Sequence, residues 1–509
     1  MTSHVIVPNG VFRADDAGAV VFREGPAPTR ADIADVAARV EKRMRRWLRR
    51  RGLLDERAAE DRSNEAPELS PLEACMQLSL FGSTYHYCSK FGPGSRAVRS
   101  TGMAYEMDAA AVARLDAYFA QIGENLRDKR KRASFAMYAL GLLGGSERKS
   151  VEPMAALACG DEATSCATQH KMLHFVGQAA WDDHAVRLVA AKHAIAAMSV
   201  HESVTTWIID DTGFLKQGND SVGVQRQYTG SAGKITNCQV GVSLSVATRT
   251  EHLPIDFELY LPVSWAEDPV RRLKAKIPEH VQFQTKIDLA LGMIERAVHD
   301  GIPGETVLAD SAYGESHAFR ETVRLLGFDY GVGVHAPMKV WCLDSRERRR
   351  GDAIGVQDLG IQLGSDAFRK VTWREGTNAK LSSRFCFRRV KVAQEDGIAP
   401  AQHEPLWLMM EWQKGEPKPT KFTLTTLRRR MTKKQIVRLI KERWRTERVY
   451  EEMKGELGLD HYEGRSFLGW HHHVSVALCC FAFVIAERVQ HFPPSEGREG
   501  SSHPLRIAA

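Results

Sequence analysis

The spacing of apolar residues changes character once along the chain, near Val204. From about residue 71 to 195, apolar positions recur close to every 3.6 residues with few β-branched clusters. This predicts helices at Ala109 to Leu126, Ala133 to Leu143 and a long run from Met172 to Met198. Beyond Val204 the period shortens. TTWIIDDT reads as an apolar strand ending in acids, and NCQVGVSLSVA and HLPIDFELYLP alternate as two further strands of an antiparallel meander. A helix is predicted at Gln284 to Asp300, then a short buried strand in ETVLADSAYG, then a helix from His317 to Leu326.

Residues 340 to about 430 break that alternation. FRKVTWREG, RFCFRRVKVA, PLWLMMEW and KFTLTTL are strand-like and separated by the turn-rich EDGIAPAQ and QKGEPKPT. The first three read as a β insertion and the fourth as a return to the core sheet, ahead of a helix from Lys433 to Leu457. Three strands, a helix and a strand ending in an acid is the order of an RNase H-like core. The expected fold is therefore α/β: an RNase H-like core interrupted by a β-rich insertion and preceded by a mostly α-helical N-terminal region. The expected boundaries are a basic segment and linker at 1–70, a helical DNA-binding region at 71–200 and the first part of the core at 201–345. The insertion follows at 346–420, the second part of the core at 421–490 and a flexible tail at 491–509.

Composition adds a partner. Hydrophobic residues at 43% and charged residues at 26% are ordinary for a globular protein and exclude wholesale disorder. The net charge of +7 is modest, but it gathers at Lys42 to Arg51 (with Lys42, Arg43, Arg45 and Arg46), at Lys129, Arg130, Lys131 and Arg132, at Arg346 to Arg350 and at Arg428 to Lys434. Four basic clusters in one chain point to a polyanion, most simply double-stranded DNA. Nine cysteines show no C-x-x-C pair or zinc-type spacing, and the adjacent Cys479 and Cys480 read as core. The start MTSHVIVPNG lacks a signal-peptide pattern, and the apolar stretch Val474 to Ala486 reads as too short for a bilayer. A cytoplasmic, nucleoid-associated protein without a membrane partner is expected.

Two strands ending in Asp and a Glu on a later helix supply the parts of a two-metal phosphoryl-transfer site. Such sites hold two divalent ions roughly 3.5–4 Å apart between carboxylates. Oxygen-only ligands suit two Mg²⁺ or Mn²⁺ ions. The candidates are Asp210 or Asp211, then Asp310, then Glu447, with Glu451 as the fallback for the third. The interval from Asp310 to Glu447 is too long for the helix to follow that strand directly, so an inserted domain is required. At about 100° per residue, Arg443, Glu447 and Lys454 fall within roughly 40° of one another on a continuous helix. Glu442, Glu452 and Glu456 point away and are expected in solvent. Lys216, Arg226 and Tyr228 are candidate DNA contacts in the loop after the first strand. His471, His472 and His473 face different directions on a helix and favour packing or phosphate contact over a metal. Trp207 and Trp444 are expected in the core.

These motifs resemble the DDE transposases of bacterial insertion sequences, in the IS4-like group and most closely the IS701 family. The likeness runs from RKSVEPMA at Arg148 through IIDDTGFLKQGNDSVGVQRQYTGSAGKITNCQV, LPIDFELYLPVSWAEDPVRR and VLADSAYG to GELGLDHYEGRSFLGWHHH. It implies cut-and-paste transposition: binding of terminal inverted repeats, cleavage by Asp210, Asp310 and Glu447, and joining of 3′-hydroxyl ends to target DNA by a synaptic dimer. The group's Y-x2-R-x3-E-x6-K motif maps onto Ile440, Arg443, Glu447 and Lys454, so its tyrosine is replaced here. Arg443 and Lys454 would contact phosphate near the cleavage point. The rival readings are a silent, domesticated DNA-binding relative and an RNase H-like nuclease or resolvase.

Overall fold

A computed structural model describes residues 10–14, 20–24, 109–146, 148–158, 162–375, 380–393, 404–427 and 431–491. The basic segment with Lys42, Arg43, Arg45 and Arg46 lies outside the described residues, as do the 491–509 tail beyond His491 and Arg428 to Arg430. Two compact units are present, residues 1–70 with 504–509 and residues 71–503. The first contains an antiparallel hairpin of β1 (Gly10–Ala14) and β2 (Val20–Glu24), which the sequence pattern does not predict.

The described part of the second unit opens with five α-helices: α1 (Ala109–Gly123), α2 (Lys129–Leu143), α3 (Val151–Ala158), α4 (Glu162–Gly177) and α5 (Asp183–Ser199); residues 71–108 of the expected helical region lie outside the described residues. The single run expected from Met172 to Met198 is two helices. Asp182 caps α5, its side chain accepting from the Ala185 amide at 2.9 Å. A cap of this kind stops one helix and starts another within an unbroken apolar period.

Strands β3 (Thr206–Leu215), β4 (Gln225–Thr229), β5 (Lys234–Ala247) and β6 (His252–Tyr260) follow. β5 pairs with β3 along one edge and with β4 and β6 along the other. Then come α6 (Val263–Ala266), α7 (Pro269–Ala275), α8 (Lys286–His299), β7 (Thr306–Ala309), α9 (Ser311–Gly314), α10 (His317–Leu325) and β8 (Asp329–Val334). β7 lies parallel between β3 and β8.

After β9 (Lys339–Leu343), at the end of the part expected as core, the segment expected as an insertion holds β10 (Arg349–Gly355), α11 (Val356–Leu363), β11 (Arg369–Glu375), β12 (Lys380–Val392) and β13 (Leu406–Trp412). Its strands extend the core sheet edge to edge. β13 pairs with β14 (Lys421–Thr425), and β14 pairs with β8. Among the described residues the result is one mixed sheet of 12 strands, and the fold is mixed α/β.

The chain ends its described part in α12 (Lys433–Lys441), α13 (Arg445–Leu457) and α14 (Phe467–His491). The one helix predicted from Lys433 to Leu457 is broken by a 3₁₀ turn at Glu442–Trp444. A capping box between Thr432 and Gln435 starts α12, and Gly458 in the left-handed region at φ 61° ends α13. By length and composition α14 is long and apolar enough to cross a bilayer, which corrects the reading of Val474 to Ala486 as too short. Yet 94% of its most apolar window is buried within the protein, as in a central core helix. Cys479 and Cys480 are part of that core as free thiols.

Candidate active site

β3 and β7 run parallel in the register Thr206 to Thr306 and Ile208 to Leu308. The same register carried past the end of β7 sets Asp210 beside Asp310. Asp310 is the first residue after β7 and caps α9, its Oδ1 accepting from the Ala312 amide at 2.9 Å. Only Asp310 follows the end of its strand; β3 runs on to Leu215 along β5, so the strand expected to end in acids carries Asp210 and Asp211 at mid-strand. The carboxyl end of a parallel strand is where open α/β sheets present ligand-binding groups.

Successive strand residues face opposite sides of a sheet. Asp210 and Thr212 share one side, and both are met by the helical segment that follows β14. Arg443 Nη1 donates to Asp210 Oδ2 at 2.7 Å, and Lys454 Nζ donates to Thr212 Oγ1 at 2.8 Å and to the Gly213 carbonyl at 2.7 Å. Asp211 faces the other side. There Lys286 Nζ, at the start of α8, donates to its Oδ2 at 2.8 Å. The two adjacent aspartates thus have different partners on different faces. Asp210 is the one that shares Arg443 with the charges of Asp310 and Glu447.

Burial pushes the Asp210 carboxyl up to about 7. Arg443 pulls against that rise, while the nearby Asp310 and Asp211 charges add to it. A buried carboxylate crowded by other carboxylates is an oxygen donor short of positive charge. Glu447 is exposed on the first turn of α13, and Glu451 is exposed one turn later. Among the described residues no three Asp, Glu, His or Cys side chains are gathered closely enough to hold a metal ion. The chemistry of the set, oxygen-only and electrostatically strained at Asp210, still fits a hard divalent cation.

Ile440 stands where the resemblance expects tyrosine. It packs on Ile208 and Leu308, one strand turn below the acids, and lies against Gly331. Tyr450 is no substitute for that tyrosine. Its hydroxyl is buried, bonded to Ser243 Oγ at 2.5 Å, opposite Asp210 in the ladder.

Several expected surface residues are placed otherwise. Lys216 is half-buried and its ammonium donates to the Tyr462 carbonyl at 2.7 Å and the Asp460 carbonyl at 3.3 Å, tying the end of β3 to the α13–α14 connection. Burial lowers its pKa. Arg226 and Tyr228 are exposed on β4 and not in a loop. Glu452 is buried, with its carboxyl pushed up to about 7 by that burial, and pairs with Arg448 at 3.3 Å. Glu442 is mostly buried and pairs with Arg445 at 2.8 Å. Both were expected in solvent; the 3₁₀ turn and the packing of α13 on α14 turn them inward. Trp207 is in the core, its Nε1 donating to the Pro303 carbonyl at 2.7 Å, while Trp444 is 38% exposed beneath the Arg374 guanidinium.

All three consecutive histidines are buried. His471 lies 3.4 Å from Glu258, His472 stacks on Trp181, and His473 meets the Tyr138 hydroxyl at 2.8 Å. Lys129, Arg130 and Arg132 are exposed in the first turn of α2, and Lys131 reaches the Ala180 carbonyl at 2.5 Å. Sequence reasoning passed over two residues beside the acids, Lys286 and Tyr313. The available signal for Tyr313 was its place in VLADSAYG, three residues after Asp310.

The sequence profile of the DDE superfamily endonuclease family matches residues 121–380, just over half of the chain. The chain belongs to that family. The matched part of this DDE superfamily endonuclease contains Asp210 and Asp310 and stops before Glu447. A probable transposase for insertion sequence element IS701, from Microchaete diplosiphon, is 26% identical over 210 residues. That alignment covers 41% of this chain, and the chain spans half the length of that relative. Among solved structures, a piggyBac transposase synaptic complex with hairpin DNA is similar over 83% of this chain and 76% of its own, at a TM-score of 0.37 and 11% identity.

Proposed function

We propose that this DDE superfamily endonuclease is the transposase of an insertion sequence related to IS701. In this reading it has an RNase H-like core, binds the element's terminal inverted repeats, cleaves at the ends and joins the freed 3′-hydroxyls to target DNA. One observation carries the reading. The parallel register of β3 and β7 sets Asp210 beside Asp310, and Arg443 and Lys454, which flank Glu447, bond β3 at Asp210, Thr212 and Gly213.

Asp210, Asp310 and Glu447 would hold two Mg²⁺ or Mn²⁺ ions, which when bound activate the attacking oxygen and stabilise the leaving oxygen. Asp211, held by Lys286 on the other face, is then a neighbouring charge and not a ligand. Arg443 has two tasks. It neutralises Asp210 while the acids are otherwise unpaired, and it offers a planar fork to the scissile phosphate when Asp210 has another counter-charge. Lys454 is fixed on the β3 backbone and brings a point charge to the same groove.

The exposed cations at the start of α2 favour a DNA-binding role for the region 71–200, whose described part is helical, and residues 346–420 serve as the insertion between the second and third acids. Arg226 offers a further phosphate contact from β4. Pairing two ends implies a dimer at the point of action. The test is an end-containing duplex with Mg²⁺ or Mn²⁺. Asp310→Ala and Glu447→Ala should each abolish strand cleavage while end binding persists, and cleavage retained by either variant would sink the assignment.

A further inference from the structure

Tyr313 presents a polar group that the fold leaves without a partner. Its ring is 1% exposed and packs against Phe319, yet among the described residues its hydroxyl has no hydrogen-bond partner. Leaving a buried hydroxyl unpaired costs about 1–3 kcal/mol. Such groups in native proteins mark a strained or functional position. Burial first, and then the nearby charges of Asp211, Asp310 and Asp210, raise its pKa well above 10.

The surrounding backbone fixes where the ring goes. Tyr313 is in α9, the single turn capped by Asp310, and α9 packs on β8 through glycines. A Cβ on Gly314 would collide with the Gly333 carbonyl, and one on Gly333 would come within 2.9 Å of the Ser311 amide nitrogen. Two glycines therefore let the turn lie flat on the strand, and the tyrosine follows Asp310 by three residues within that turn. Asp211 has one oxygen on Lys286, and Asp310 has one oxygen on the Ala312 amide.

We propose that Tyr313 is a positioning residue of the acid site, its hydroxyl donating to a carboxylate of the Asp211 and Asp310 pair when cation and DNA draw those acids into their working arrangement. The inference rests on the reading of this site as a divalent-cation site. A neutral hydroxyl suits the place. It steadies an anion without competing for the cation, as an arginine or lysine there would.

Tyr313→Phe removes the oxygen and keeps the ring. Were the tyrosine mere core packing, the variant would match or exceed the wild type in thermal stability, Mn²⁺ affinity and cleavage rate. A positioning role predicts unchanged or higher thermal stability in metal-free protein. It also predicts Mn²⁺ binding weakened about 5- to 20-fold by calorimetry, and kcat for end cleavage reduced about 10- to 100-fold with little change in KM, the scale of one hydrogen bond to a charged group. Wild-type values for both Mn²⁺ affinity and kcat would overturn the proposal. Asp310→Ala, measured alongside, separates the two failures. If it loses Mn²⁺ binding and Tyr313→Phe does not, only the role of Tyr313 falls; if it too binds and cleaves as wild type, the cation site falls and the role of Tyr313 with it. Should Tyr313→Phe not fold, Tyr313→Met decides: it fills the same space without a hydroxyl, and wild-type Mn²⁺ affinity and cleavage in that variant would overturn the proposal.

Discussion

At the scale of single residues, the contact between Arg443 and Asp210 has a pH signature. An acid whose folded pKa lies above its unfolded value takes up a proton on folding, so the folded state loses stability as pH climbs between the two. For Asp210 that window runs from 3.8 to about 7. Below it the carboxyl is neutral and Arg443 gains little from it; above it the ion pair is complete. Arg443→Gln should therefore cost roughly 1–3 kcal/mol more at about pH 8 than at about pH 5, the worth of a charged hydrogen bond in a largely buried place. Urea unfolding of the metal-free protein at the two pH values measures the difference, and an equal cost at both would show that the pair does not form. The same pairing explains why Asp210 and Asp211 could not be told apart by reading alone. Strand alternation says that they face opposite ways, but only the partners, Arg443 on one side and Lys286 on the other, say which way is which.

At the scale of elements, turn chemistry positions the acids more than strand propensity does. Asp310 is held at the mouth of the strand because β7 stops one residue before it and a four-residue helix starts one residue after it. That abrupt change is possible because Gly314 carries no side chain against Gly333. Gly314→Ala should push α9 off β8, lower the melting temperature by several degrees through overpacking of about 1–3 kcal/mol, and impair cleavage together with stability. Differential scanning fluorimetry with the cleavage assay checks it; a variant with wild-type stability would show that the contact relaxes freely. The 3₁₀ turn at Glu442–Trp444 is an element-scale effect of the same kind. A projection at 100° per residue treats Lys433 to Leu457 as one cylinder, which places Glu442 and Glu452 in solvent. The break, together with α14 behind α13, buries Glu452 and turns Glu442 partly inward.

At the scale of the whole molecule, the unit 71–503 is clamped by a buried charge network that joins helices and sheet far apart in sequence. Arg187 on α5 bonds Asp183, Ser475 on α14 and Asp256 on β6. Arg296 on α8 bonds Asp256 at 2.7 Å and Glu258 at 2.6 Å, and His471 approaches Glu258 from α14. Burial alone would raise the Glu258 pKa, but His471, Arg296 and Arg187 hold it down to about 2. A depressed acid gives stability that is present above its unfolded pKa and lost as pH falls towards the folded one. For Glu258 that window runs from 4.5 down to about 2. Glu258→Gln should cost about 2–4 kcal/mol at neutral pH, somewhat under a fully buried pair because Arg296 is partly exposed, and should weaken the acid dependence of unfolding within that window. Circular dichroism across pH reads both effects, and a variant as stable as the wild type at pH 7 would show that the network is neutral.

The sequence by itself determined what is local. Asp210 at the end of an apolar run, Asp310 after a short buried strand, and the Arg443, Glu447 and Lys454 spacing are all legible because strand burial and helical period leave their mark within a few residues. Strands β11 to β14 were legible for the same reason, whereas the polar, arginine-rich hairpin of β9 and β10 was not. Tertiary structure alone decided how those pieces meet. It decided that the insertion strands continue the core sheet through β13 and β14, that Lys216 straps the end of β3 to the segment before α14, and that Lys286 takes Asp211. It also decided that Tyr313 is buried beside the acids without a partner among the described residues. Pairing between strands, and contact between a helix and a sheet, depend on packing among residues hundreds of positions apart. No local pattern encodes which distant surface a given side chain will face.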